Sequence, residues 1–201
     1  MTDGQSISAA LKAVANFHSD TSKLLIDCDK YIGNSRRSVF GNYATKDLSY
    51  HVKASFWMPE GMFRYYEAGP SLVDGVCVTF FNPAALLNPK FETEPVFKAA
   101  RIQYRTAETS TQSSSDSSEA LKTVCDGWDI WSLFFKHHQE RPLGQVLEFA
   151  DIDQGRIKWA RLIAVPLLSI TRIDDARVLA QRVSTLPDSP TEGTELLPSS
   201  I

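Results

Sequence analysis

The chain has 201 residues, of which 43% are hydrophobic and 10% are aromatic, and its formal net charge is −3. This length and apolar content suit one domain with its own core and argue against a disordered chain. Residues 187–201 carry acidic but no basic side chains. The remainder is therefore electrically neutral and has no general attraction for nucleic acid, so a nucleic-acid partner is not expected.

A long amphipathic segment opens the chain. Apolar residues recur at steps of three, four or one along residues 7–32, which is the period of one helix face, and Gly33 is suited to end the helix. The pattern predicts a long helix over residues 6–33. Because such a helix is longer than the core of a small domain requires, we expect part of it to pack on a second chain. A homodimer through this helix is therefore predicted.

The next segments favour strands and turns. Strand-forming residues at 50–68 are divided by the turn-forming residues 59–61, which predicts a hairpin. Asp74 and Gly75 together predict another turn. Residues 76–81 are almost entirely apolar, which is typical of a strand buried on both faces.

Apolar and polar residues alternate along 96–106, which predicts a strand with one face buried. Arg101 and Arg105 would lie on its exposed face. Residues 109–118 are mostly Ser and Thr and predict a flexible loop, although its role is not indicated by the sequence.

A middle helix is predicted to follow this loop and to extend to Arg141, weakened at Gly127. A second hairpin is expected from residues 145–152 and 156–168, and a last helix begins near Thr171 and ends before Pro187. Hairpins without a regular βαβ order favour an α+β fold. We expect a mainly antiparallel sheet of five to six strands, with helices on one side.

The domain organisation and location follow from composition. One α+β domain is expected over residues 1–186, with a disordered tail at 187–201. The cysteines Cys28, Cys77 and Cys125 form no C-x-x-C pair and predict free thiols in a reducing compartment. No apolar run is long enough to span a membrane and the first residues do not resemble a signal peptide, so a cytoplasmic location without membrane attachment is expected.

Aromatic residues are densest where the first predicted hairpin lies. The group, with an accompanying methionine, is Trp57, Met62, Phe63, Tyr65 and Tyr66. Consecutive strand residues point to opposite faces, so we expect Trp57 or Tyr66 to be exposed and to line a pocket or an interface. Core packing explains most of the group, and a binding surface would explain the excess; the sequence leaves both open.

Basic residues on two strands offer a second candidate site. Arg101 and Arg105 would meet the basic residues of the second hairpin if their strands are neighbours, and together they could hold a phosphate or a carboxylate. The alternative is an ordinary polar sheet face on which Glu148 and Asp151 balance the arginines.

The acidic residues of the second hairpin suggest a different class of function. Asp151 and Asp153 share one strand face and could hold a divalent cation together with His137 or His138. Turn and surface roles explain the same residues. No phosphate-binding glycine motif and no nucleophile elbow is present, so no cofactor is predicted.

These observations favour a regulatory, interaction or sensor module over an enzyme. Such a module would bind a partner protein or a small ligand through the aromatic-rich surface and would dimerise through the first helix. The alternative is a metal-dependent hydrolytic enzyme that uses Asp151 and Asp153 with His137 or His138.

Overall fold

The computed structural model describes most of the chain. The described ranges are residues 3–33, 36–42, 61–80, 94–105, 117–127, 129–135, 143–152 and 156–186. The helices in these ranges are α1 (Asp3–Tyr31), α2 (Ser117–Val124), α3 (Asp129–Phe135) and α4 (Ile173–Ser184). The strands are β1 (Gly61–Gly69), β2 (Leu72–Thr79), β3 (Val96–Tyr104), β4 (Val146–Ile152) and β5 (Ile157–Pro166).

The five strands form one antiparallel sheet in the order β1-β2-β3-β5-β4. Helices α1 and α4 pack on one face, where Val76, Phe97 and Ile163 meet them. Helices α2 and α3 cover the other face, where Ile130 and Leu133 pack against the sheet. The predicted α+β class is therefore confirmed, but the expectation that helices lie on one side only is wrong.

Helix α1 packs along only part of its length. Leu25, Cys28 and Ile32 are buried against the sheet, whereas residues 4–16 are exposed throughout. At 1.5 Å per residue, the exposed part extends about 20 Å. None of the helices in the described ranges is both long and apolar enough to cross a lipid bilayer.

Two predicted elements differ from the structure because polar residues lie inside the sheet. Asp74 and Gly75 belong to the interior of β2 and do not form a turn. Asp74 is tolerated there because two arginines bind its carboxylate. Strand β3 is covered on both faces, so the expectation of one solvent-exposed face, with Arg101 on it, is wrong.

The predicted middle helix is divided into α2 and α3. Gly127 lies between them, and an added Cβ atom there would be 2.2 Å from Cζ of the Phe63 ring. The close approach of this ring requires glycine, which disfavours a continuous helix. The hairpin of β4 and β5 is confirmed. The predicted strand before residue 59 and the predicted disordered tail at 187–201 lie outside the described residues and stay predictions. The domain limit at 186, the last described residue, also stays a prediction.

The interior of β2 provides a test of the packing. A methyl group at Gly75 would lie 2.7 Å from both Ile130 Cδ1 and Tyr65 Cδ1. Because both neighbours are buried, we expect Gly75→Ala to lower the free energy of unfolding in urea by about 1–3 kcal/mol. Gly4→Ala is the matched control, because no atom lies within 4 Å of its added Cβ. Equal stability of the two variants would contradict this description of the core.

Candidate functional site

A row of polar side chains crosses the sheet on the face that α1 and α4 cover. Each member lies directly opposite the next in the strand register, so all of them share this face. In spatial order this charged row consists of Tyr66, Asp74, Arg101, Arg161 and Glu148. It contains one residue from each of the five described strands, at the end of the sheet where α4 finishes.

Two arginines bind the carboxylate of Asp74, which lies near the middle of the charged row. Arg101 donates to both carboxylate oxygens, at 2.7 Å from Nε and 3.0 Å from Nη2. Arg36 donates to the same carboxylate at 2.5 Å. The remaining Nη1 of Arg101 donates to the carbonyl oxygen of Ser184 at 2.7 Å. One carboxylate thus connects two strands, the segment after α1 and the last turn of α4.

The other half of the charged row pairs Arg161 with Glu148. The side chain of Arg161 is 1% exposed, and its Nε donates to Glu148 at 2.5 Å. Its guanidinium also lies 5.1 Å from the centre of the Trp159 ring. Together with Arg36, the charged row has three guanidinium groups and two carboxylates. One positive charge is therefore in excess within this set of five side chains.

A second ionic group holds α1 against β1. Arg64 donates to both carboxylate oxygens of Asp29 at 2.7 and 2.9 Å, and the hydroxyl of Tyr66 donates to the same carboxylate at 2.9 Å. Burial, followed by the negative charges of Cys28 and Asp29, raises the pKa of Tyr66. The tyrosine therefore stays protonated and keeps its donor role.

A cavity of about 140 Å³ lies beside the charged row, and we call it the row cavity. Its walls come from the end of α1, from β2 and from one face of α4. The residues that matter for its chemistry are Tyr31, Ile32, Arg36, Asp74, Arg177 and Gln181. It thus combines arginine and amide donors with an apolar wall.

The structure places the predicted aromatic site residues mainly in the interior. Phe63, Tyr65 and Tyr66 are 2%, 0% and 1% exposed. The expectation of an exposed Tyr66 is therefore wrong, because helices cover both faces of the sheet. Met62 is half-buried, and Trp57 lies outside the described residues. Tyr65 accepts a hydrogen bond from the backbone N–H of Ile130, which holds α3 on the sheet.

The two predicted arginines are not brought together as an exposed pair. Arg101 belongs to the charged row, whereas Arg105 lies beyond β3 and pairs with the exposed Asp151. Strands β3 and β5 are neighbours, as the hypothesis of a basic patch required, and Arg101 lies opposite Arg161. Each of these two arginines binds a carboxylate, Asp74 for Arg101 and Glu148 for Arg161. The alternative hypothesis, a polar face on which acids balance the arginines, also expected such pairs.

Among the described residues, no group of side chains that could hold a metal ion includes Asp151 of the predicted acidic site. Asp151 has a φ of 50° and its carboxylate binds Arg105. Within the described ranges, no three His, Cys, Asp or Glu residues are grouped closely enough to hold a metal ion. Asp153, His137 and His138 lie outside those ranges, so this hypothesis stays untested.

A buried acid on the opposite face of the sheet has a structural role. Asp129 accepts hydrogen bonds from Arg156 and, at 2.5 Å, from the hydroxyl of Tyr104. Burial raises the pKa of Asp129 even though these two donors act in the opposite direction. Its remaining bond, from the backbone N–H of Asp126 at 2.8 Å, closes the turn between α2 and α3. This cluster fastens both helices to the sheet.

Sequence reasoning missed the contributions of Arg36, Asp74 and the α4 face. A signal for Asp74 was present, because this acid lies directly before the apolar run of residues 76–81. If the buried strand includes Asp74, its carboxylate needs a positively charged partner inside the protein. Arg36 had no such signal, because its role depends on where the segment after α1 meets β2.

No protein-family model matches this chain, and neither the curated proteins nor the solved structures include a match to it.

The three cysteines are free and buried, and their chemistry gives a direct test. Burial, with the charges of Asp29 and Asp27, raises the pKa of Cys28 to about 12. Burial likewise raises the pKa values of Cys77 and Cys125. Because the thiolate is the reactive form, we expect an aromatic disulfide reagent near pH 8 to label none of the three rapidly in the native protein.

All three thiols should react at once in concentrated guanidinium chloride, which serves as the control. Rapid labelling of a native thiol would contradict the described burial. The free thiols agree with a reducing compartment, and the cytoplasmic location stays a prediction.

Proposed function

We propose that this protein is a regulatory interaction module that self-associates through the first half of α1. The observation that carries the proposal is the exposure of three aliphatic side chains on one helix face. Ile7 is 62% exposed, Leu11 66% and Val14 37%. An apolar stripe of this kind on a helix marks an interaction surface.

The exposed stripe continues the seam by which α1 packs on its own sheet. Steps of seven residues connect Ile7 and Val14 with the buried Thr21 and Cys28. The same step leads from Leu11 through the half-buried His18 to the buried Leu25 and Ile32. A heptad spacing keeps side chains on one side of a helix that packs on another. The sheet covers the second half of this seam, so the first half has the pattern that a partner helix would cover.

We commit to a second copy of this chain as the occupant. If two α1 helices pair antiparallel with their centre between Ala10 and Leu11, large residues meet small ones. Leu11 then faces Ala10, and Ile7 faces Val14, of the second copy.

This pairing also separates the two domains. It uses the exposed residues 4–16, about 20 Å of helix, and leaves the second half of α1 on its own sheet. Lys12 is the only charged residue between positions 4 and 16, so like charges do not accumulate along the stripe. The four exposed turns are only marginally stable as an isolated helix, and pairing would stabilise them.

The expected affinity is modest. Full burial of an aliphatic side chain contributes about 1.5–3 kcal/mol, so the partial exposures of Ile7, Leu11 and Val14 on two copies amount to roughly 5–10 kcal/mol. Association itself costs an estimated 4–15 kcal/mol. The surplus is therefore at most about 6 kcal/mol, so we expect a dissociation constant no tighter than about 40 µM, as suits reversible regulation.

A charge in the stripe tests this proposal. We expect sedimentation equilibrium to show concentration-dependent dimers of the wild-type chain. Leu11→Glu should keep the protein monomeric over the same concentrations, because pairing would bury the carboxylate. Leu168→Glu is the matched control: Leu168 is 89% exposed but lies outside α1, so this variant should dimerise like the wild type.

A wild-type chain that stays monomeric at millimolar concentration would contradict the proposal, as would equal dimerisation of both variants. The aromatic group is not part of the proposed surface, because Phe63, Tyr65 and Tyr66 are interior. Among the described residues no observation favours the hydrolase, and it is not proposed.

A further inference from the structure

We propose that the row cavity binds a small carboxylate with an apolar body about the size of a benzene ring, held through Arg36 and Arg177. This site is independent of the self-association proposed above. Its support comes from three observations: the charge around the cavity, the α4 face that lines it, and its volume.

The charge beside the cavity is positive. Asp74 already accepts three hydrogen bonds from Arg36 and Arg101, so its carboxylate does not require a cation from solution. Arg36 has five N–H donors, and the bond to Asp74 involves Nη1. Its side chain is 36% exposed and lines the cavity, so it can present donors to a bound anion.

The ends of two helices near the cavity do not reverse this charge. A helix C-terminus carries roughly half a negative charge. At α4 the carbonyl of Ser184 already accepts from Arg101, and Arg182 lies in the last turn. At α1 Lys30 lies in the last turn. Basic side chains of the protein therefore lie near the carbonyl groups at both helix ends, and these carbonyl groups do not make the cavity a site for a cation.

One face of α4 supplies further donors. Arg177 and Gln181 are four residues apart, so they are neighbours on the helix surface, and both line the cavity. Arg177 pairs with Asp174 at 2.9 Å, but the two side chains are 44% and 56% exposed. Exposed pairs of this kind contribute little, so the guanidinium can turn toward an anion in the cavity.

The volume sets the size of the ligand. The row cavity holds about 140 Å³, close to an engineered cavity of about 150 Å³ that binds benzene. Pockets for drug-sized molecules occupy about 300–1,000 Å³, so a nucleotide or a large cofactor does not fit. Ile32 and Ala180 provide apolar walls, and the opposed residues Gly75 and Ala100 form part of the lining. A carboxylate on the arginines would place an apolar body against these walls.

Benzoate is the probe for this site, with benzyl alcohol as its neutral analogue and inorganic phosphate as the anion without an apolar body. Calorimetric titration of the full chain at constant ionic strength should show benzoate binding at least about tenfold more tightly than either comparison compound. A charge-assisted hydrogen bond to arginine explains the difference from benzyl alcohol, and burial of the apolar ring explains the difference from phosphate.

Variants assign the binding to the cavity. Arg177→Gln should weaken benzoate binding about tenfold, and Lys23→Gln, which removes an exposed positive charge outside the cavity lining, should leave it unchanged. Ala180→Phe should abolish binding by filling the cavity. Arg36→Gln should also weaken binding, and if it unfolds the protein, Arg177→Gln and Ala180→Phe still decide the question. Circular dichroism and thermal unfolding establish that each variant is folded.

Several results would overturn the proposal. These are the absence of benzoate binding, equal binding of benzyl alcohol, binding of phosphate alone, and benzoate binding that Arg177→Gln and Ala180→Phe leave unchanged. Binding of benzoate that Leu11→Glu leaves unchanged would support a carboxylate site separate from the self-association surface.

Discussion

The carboxylate of Asp74, bound by Arg36 and Arg101, is the interaction on which the arrangement of this fold depends. Arg36 follows α1, Asp74 belongs to β2 and Arg101 belongs to β3, so the interaction joins three distant parts of the chain. Arg101 also donates to the carbonyl group of Ser184 at the end of α4. A buried ion pair is costly to desolvate, but removal of one member leaves an uncompensated charge inside the protein. The ion pairs of Asp74 therefore favour the observed register of β2 against β3 and the observed position of α4 on the sheet.

Helix α1 contributes to both proposed surfaces. Its first half carries the exposed stripe of Ile7, Leu11 and Val14, and its last residue, Tyr31, lines the row cavity together with the following Ile32. A ligand in the cavity would contact the same rigid element that pairs with a second copy. Coupling between the two sites would require that the ligand bind one association state more tightly than the other.

The sequence was most informative where a periodic pattern was long, and least informative where contacts were distant. The period of α1 predicted a helix, the alternation along residues 96–106 predicted the strand β3, and the apolar run at Val76 predicted a strand buried on both faces. The site depended on Arg36 meeting Asp74 across 38 residues, which no local pattern encodes. Without that contact Asp74 resembled a turn residue, and without the helices on both faces Tyr66 appeared to be available at the surface.

The coupling free energy between Asp74 and Arg101 tests the central claim most directly. A double-mutant cycle with Asp74→Ala, Arg101→Ala and both together, measured by urea unfolding, should give a coupling of about 2 kcal/mol or more. The exposed pair of Arg105 and Asp151 is the matched control, with an expected coupling below about 1 kcal/mol. A coupling between Asp74 and Arg101 no larger than that of the control pair would contradict the account.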